Sequence, residues 1–180
     1  MKRQSQYVIA YKGLKDGLHL FDFKVDDKFF EAYENSEIEK AAVDIRITMN
    51  KKPSVLEFEF KLEGRVSVPC DRCLDLFALD IEYEAPLFIK FGEETHEETD
   101  ELIVISEHDT EIDVSQFIYE FIHLSLPYRR IHPEDKHGRP TCNEEMINRL
   151  KELSVNADKT ETDPRWNDLK KSFLIITKNF

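Results

Sequence analysis

The sequence predicts an α+β fold: an antiparallel β-sheet meander with a long CxxC-tipped hairpin, and helices mainly in the C-terminal part. Three observations carry this. Leu56, Phe58, Phe60, Leu62, Val66 and Val68 fall on even positions, with Glu57, Glu59, Lys61, Glu63, Arg65 and Ser67 between them. After Cys73 the phase becomes odd: Phe77, Leu79, Ile81, Tyr83, Ala85, Leu87, Ile89 and Phe91. A period of two marks half-buried strands. Clear three-and-four spacing of apolar residues comes only after residue 113.

The elements follow in order. Phe21, Phe23 and Val25 share one side of a short strand over 18–25. Phe29, Phe30 and Tyr33 give a helical turn or two within 26–36. Val43, Ile45, Ile47 and Met49 alternate with polar residues, a second strand. Asn50–Pro53 reads as a turn into the long strand 56–68, where Gly64 is a candidate bulge. Pro69-Cys70-Asp71-Arg72-Cys73 is then the hairpin tip. Pro86 makes the returning strand an edge, or breaks it.

Residues 93–101 carry six acids and read as a solvated loop; Leu102–Ile105 is a short strand. Asp113, with Gln116 three residues on, predicts a capping box. The helix it opens has Val114, Phe117, Ile118, Phe121, Ile122 and Leu124 on one face and ends at Pro127. Tyr128–Thr141 is a polar loop. Asn143 caps a helix bearing Met146, Ile147, Leu150 and Leu153. A linker over 154–162 precedes a last helix that starts at Asp163-Pro164 and carries Trp166, Leu169 and Phe173. The chain reads as one domain over 1–153, with 154–180 as linker and helix docked on it.

Composition narrows the function. The 180 residues hold 37 Asp and Glu against 25 Lys and Arg, a net −12, with 41% hydrophobic residues and 13 Phe. That is too apolar for a disordered acidic chain. No apolar run reaches the roughly 20 residues of a membrane span, and no secretory h-region follows Met1. Three Cys make a disulfide framework unexpected and a reducing cytoplasm the expected compartment. There is no Gly-rich phosphate loop, HExxH or GxSxG. Charge is uneven. Residues 1–15 carry +4, residues 121–180 carry +2, and residues 16–120 carry −18. The middle block repels phosphate, so RNA contact falls to the ends of the chain; a basic protein suits the middle. The acids can equally be a solvated face.

Two clusters can carry chemistry. Cys70 and Cys73 read most simply as two thiols packed at a hairpin tip. Their spacing also suits half a zinc site, the rest drawn from His132, His137 and Cys142. A redox role is disfavoured, because a strand follows the motif where a helix N-terminus would lower the thiol pKa. Tyr128, Arg129, Arg130, Lys136 and Arg139, with Arg72 at the tip, could grip RNA phosphate or stack a base. They could equally pair with acids of the same chain. No His has a nearby partner for a catalytic triad.

The stretch Gly64-Arg65-Val66-Ser67-Val68-Pro69-Cys70-Asp71-Arg72-Cys73-Leu74-Asp75-Leu76-Phe77 resembles a "G-x-V-x-V-x-C-x-R-C-L-x-x-F" segment of the YceD family, the bacterial large ribosomal RNA subunit accumulation proteins. Ile112-Asp113-Val114, with the Ser125-Leu126-Pro127 that closes its helix, and Asp163-Pro164-Arg165-Trp166 resemble two further family passages in the same order. The resemblance implies a cytoplasmic, non-enzymatic ribosome-biogenesis factor. It would support accumulation of large-subunit ribosomal RNA by binding that RNA or a basic large-subunit ribosomal protein, with no membrane or DNA partner. Many members carry a second Cys pair after the Leu-Pro; here stand His132, His137 and the lone Cys142. No cofactor is required, zinc being the one candidate. The alternatives are a metal-dependent RNA-processing hydrolase and a small zinc-binding interaction module.

Overall fold

The computed structural model describes residues 5–33, 36–99 and 101–154. After a 3-10 turn at Ser5–Tyr7 come β1 (Val8–Ile9), β2 (Gly17–Val25), α1 (Asp27–Phe30), β3 (Lys40–Lys51), β4 (Val55–Pro69), β5 (Leu76–Gly92), β6 (His96–Thr99), β7 (Leu102–Ser106), β8 (Ile112–Asp113), α2 (Ser115–Leu124) and α3 (Glu144–Leu153). Six strands form one sheet in the order β2-β3-β4-β5-β7-β6, and β1 pairs with β8. The fold is α+β and the sheet mostly antiparallel; β5 and β7 are the parallel exception. The chain divides into two units, Met1–Asn143 and Glu144–Phe180. The first holds both sheets. Of the second, α3 is described, and none of its residues is buried. The linker and the Trp166 helix expected from the sequence lie outside the described residues.

Alternation builds the core. Ile45, Ile47 and Met49 of β3, Leu56, Phe60 and Leu62 of β4, and Leu87 and Ile89 of β5 are all at 0–1% exposure on one sheet face. α1 and α2 supply Phe29, Phe30, Ile118, Phe121 and Ile122 to the buried interior. The Phe60 and Phe121 rings meet edge-on at 5.0 Å, so α2 is keyed to the middle of β4. The other face carries a ladder of cross-strand ion pairs: Lys24–Asp44, Arg46–Asp22, Lys61–Glu84 and Arg65–Asp80. Four acids of the middle block therefore meet a counter-charge within the sheet, and the block keeps its net negative charge.

Several local expectations change. Gly64 is no bulge: pairing with both β3 and β5 runs through it in register. A Cβ there would stand 2.3 Å from the Ala42 carbonyl oxygen, so the position demands glycine for close backbone approach. β3 runs on to Lys51, which moves the turn to Lys52–Ser54. β5 passes unbroken through Pro86, opposite Glu59; β7 pairs only with Phe88–Gly92, so β5 is an edge at the proline. The acidic loop contains β6, paired antiparallel with β7. The helical stretch after residue 26 is a single turn capped by the Asp26 carboxylate. The capping box does not form. Asp113 lies in β8 and accepts from the Ser115 N–H, two residues on, so the cap position passes to Val114. Gln116 turns instead to Glu120, and Leu124 is exposed rather than on the buried face. Among the described residues no helix is long and apolar enough to cross a membrane.

Candidate functional site

The β4–β5 tip builds the site. The even phase of β4 carries Cys70 to the apolar side, where it is fully buried. The chain then turns within six residues. Cys70 N–H donates to the Asp75 carbonyl at 3.0 Å, Leu74 N–H to the Cys70 carbonyl at 2.9 Å, and Arg72 N–H to Cys70 Sγ at 3.5 Å. The turn forces Leu74 to φ 64°, a left-handed conformation that costs a branched residue about 1–2 kcal/mol. Its side chain stands 68% exposed. Strain and exposure together at a tip are a mark of function.

The 128–142 loop is tied to this tip. Asp71 and Arg130 exchange bonds: Asp71 N–H donates to the Arg130 carbonyl at 2.7 Å, and Arg130 N–H to Asp71 Oδ2 at 2.6 Å. The Arg130 guanidinium reaches back to Glu37 and lies 3.7 Å from Asp71. Beyond it, Pro133–Thr141 folds on itself. Asp135 Oδ1 accepts from the N–H groups of His137 and Arg139, Gly138 takes the positive φ of the turn, and Thr141 Oγ1 donates to the Pro133 carbonyl. The two legs of this small hairpin bring His132 and Cys142 back side by side, across nine intervening residues.

Four side chains therefore converge. Cys70 Sγ lies 3.9 Å from Cys142 Sγ, and Cys73 Sγ 3.4 Å from His132 Nδ1. The ligand atoms of all four lie within 4.8 Å of one another. The His132 ring also rests on Phe77 at 4.9 Å. Burial alone would raise the Cys70 thiol. The N–H groups of Arg72 and Cys73, with the backbone and ring of His132, outweigh it and bring Cys70 down to about 6. Cys142 moves the other way, pushed up by burial and by the neighbouring Cys70. The site thus favours a thiolate at Cys70. Reactive cysteines sit partly exposed, whereas Cys70 and Cys73 are at 0% and 1%. The arrangement is a donor set of three buried sulfurs and a half-buried imidazole.

The other residues singled out in the sequence divide. His137 is exposed at the turn of the small hairpin and is not one of the converging four. Arg130 is committed to Glu37 and Asp71. Arg72 is half-buried in the tip, while Tyr128, Arg129, Lys136 and Arg139 are exposed around it. Sequence reasoning missed Asp71 and Glu37, which hold the loop, and Leu74. A bulky residue directly after the second Cys of a tight turn was the available signal for Leu74.

Comparison with protein-family models gives a match to the large ribosomal RNA subunit accumulation protein YceD over residues 58–171. The chain belongs to the YceD family. The matched region starts within β4 and takes in the tip, α2 and the 128–142 loop. Membership of the YceD family connects the chain with accumulation of the large subunit's ribosomal RNA, and the family is named for accumulation, not for a catalysed reaction. No curated protein and no solved structure shows significant similarity to this YceD-family chain.

Proposed function

We propose that the protein is a non-enzymatic, cytoplasmic ribosome-biogenesis factor, and that it contacts large-subunit precursor RNA with the tip end of the β4–β5 hairpin. The observation that carries this reading is the exposure of Tyr128, with its chain neighbour Arg129, and of Lys136 and Arg139 in the loop that is tied to the tip. An aromatic face with Arg and Lys around it suits an unpaired base and its flanking phosphates. Glu93, Glu94, Glu101, Glu107 and Asp109 lie toward the opposite end of the hairpin, where β5 runs out at Gly92. About fourteen residues of strand, roughly 45 Å, separate the ends. That is several Debye lengths at physiological salt, about 8 Å each, so the acidic end leaves the tip approachable to phosphate. Carboxylate-held metal catalysis is disfavoured: among the described residues the converging donor group is the Cys/His one, not a set of acids.

Recovery of the tagged chain from cells, with and without RNase, tests the reading. The expected companion is large-subunit RNA, lost on RNase treatment and reduced by Tyr128→Ala with Arg129→Glu. The salt dependence of binding should flatten in that variant. Basic ribosomal proteins retained after RNase, with the variant bound as well as the parent, would overturn it in favour of a protein partner for the acidic end.

A further inference from the structure

We propose that Cys70, Cys73, His132 and Cys142 together bind one zinc ion, which fastens the 128–142 loop to the β4–β5 tip. The inference rests on the side-chain geometry and does not depend on the RNA reading. A tetrahedral zinc with Zn–S bonds of about 2.3 Å and Zn–N of about 2.0–2.1 Å has S···S edges near 3.8 Å and S···N edges near 3.6 Å. One S···S edge here, Cys70–Cys142, is 3.9 Å, one S···N edge, Cys73–His132, is 3.4 Å, and the remaining four edges are within 4.8 Å. Donor chemistry selects the metal. Three sulfurs and an imidazole suit zinc and not the hard cations, which require oxygen ligands. Protein atoms fill all four positions, and three of the four residues are buried, as in structural rather than catalytic zinc sites. The turn itself is prepared for a bound thiolate, since the Arg72 N–H already points at Cys70 Sγ.

The consequence is mechanical. Two ligands come from the hairpin tip and two from the legs of a small hairpin about 60–70 residues later. The ion would be the cross-link between them. Without it, the loop is left to the Asp71–Arg130 exchange, the Arg130–Glu37 pair and the His132–Phe77 ring contact. Tyr128 and Arg129 stand directly next to that exchange, so the metal would set where they point.

Elemental analysis of the full chain, purified without chelator, should give one zinc per chain. After zinc removal, titration with Co2+ should give the intense visible bands of a tetrahedral, thiolate-rich cobalt site, saturating at one equivalent. Cys142→Ser should abolish stoichiometric metal. His132→Cys should retain it and shift the cobalt bands, which separates ligand loss from failure to fold. His137→Ala should leave both readouts unchanged. A folded chain that carries no stoichiometric zinc and gives no tetrahedral cobalt bands would overturn the proposal. So would loss of metal in His137→Ala.

Discussion

Where Val55 pairs with Lys90, the β4–β5 hairpin ends in a wet and acidic region. Residues 93–113 hold ten acids and no Lys or Arg, and His96, Glu98 and Thr99 of β6 are exposed. Where Pro69 pairs with Leu76, it ends in a dry cluster of three thiols and an imidazole, ringed by Arg72, Tyr128 and Arg129. The first end is held by main-chain pairing, by the Lys90–Glu98 ion pair and by Tyr11, whose hydroxyl donates to the Asp109 carbonyl, with charge guarding its edge strand. The second is held by side chains that reach across long stretches of sequence. One hairpin thus joins an acidic end to an end that carries exposed basic residues, and the buried middle keeps the two apart.

The strongest way to break this contrast is to remove the middle. Phe60→Ala, at 0% exposure against Phe121, should cost about 3–5 kcal/mol and lower stability at both ends together. Chemical denaturation should show one cooperative transition moved to lower denaturant. Arg130→Met should act on the tip alone. The loss is about 1 kcal/mol, because Glu37 and Asp71 are partly solvated. Amide exchange should quicken at Asp71 and across 130–142 and stay unchanged in β6 and β7.

Leu74→Gly should have the opposite sign. Relief of the left-handed strain, less the added freedom of glycine in the unfolded chain, should stabilise by about 0.5–1 kcal/mol. A higher urea midpoint at unchanged slope would show it. Glu93→Gln with Glu94→Gln and Glu107→Gln should sharpen the contrast from the other side. Stability should move by less than about 0.5 kcal/mol, while RNA binding at low salt strengthens as the repulsive field weakens. Equal weakening of RNA binding would mean the acidic end is itself a contact.

The smallest effect is on pH dependence. Hydrogen bonds from Lys52 and Arg65 hold the Glu57 and Asp80 carboxyls below their ordinary range. Folded values below unfolded ones give stability that is present above about pH 4 and lost as pH falls through the folded values. Asp80 is exposed and Glu57 half-exposed, so Glu57→Gln should only slightly flatten the decline of thermal stability between neutral pH and about pH 3.

The sequence made β3, β4 and β5 legible because one face of each is buried, and burial writes itself as alternation. β6 escaped because its described side chains are wet on both faces and leave no period. β1 and β8 escaped because two residues cannot show one. Asp113 misled because a short carboxylate can serve a strand end or a helix cap equally well, and here it accepts from the N–H two residues on. All four donors were legible as candidates, Cys70 and Cys73 from their spacing and His132 and Cys142 from their place in the 128–142 loop. The choice between His132 and His137 was not, because His132 and Cys142 become neighbours only after the Asp135–Gly138 turn has folded the loop back. Arg130 offered no hint that its partner is Glu37, ninety-three positions away.

The pairing of Val8 with Asp113 and Ile9 with Ile112 fixes an order of events during synthesis. Buried Tyr7, Ile9 and Tyr11 leave the ribosome before the sheet strands do, yet the strand that pairs with this segment is made more than a hundred residues later. At about 5–20 residues per second that is a wait of roughly 5–20 s. The six-stranded sheet can close within that interval, because all its strands lie between Gly17 and Ser106. This early-made segment therefore settles after the sheet strands. Its docking leaves only α2 and the 128–142 loop to complete the first unit.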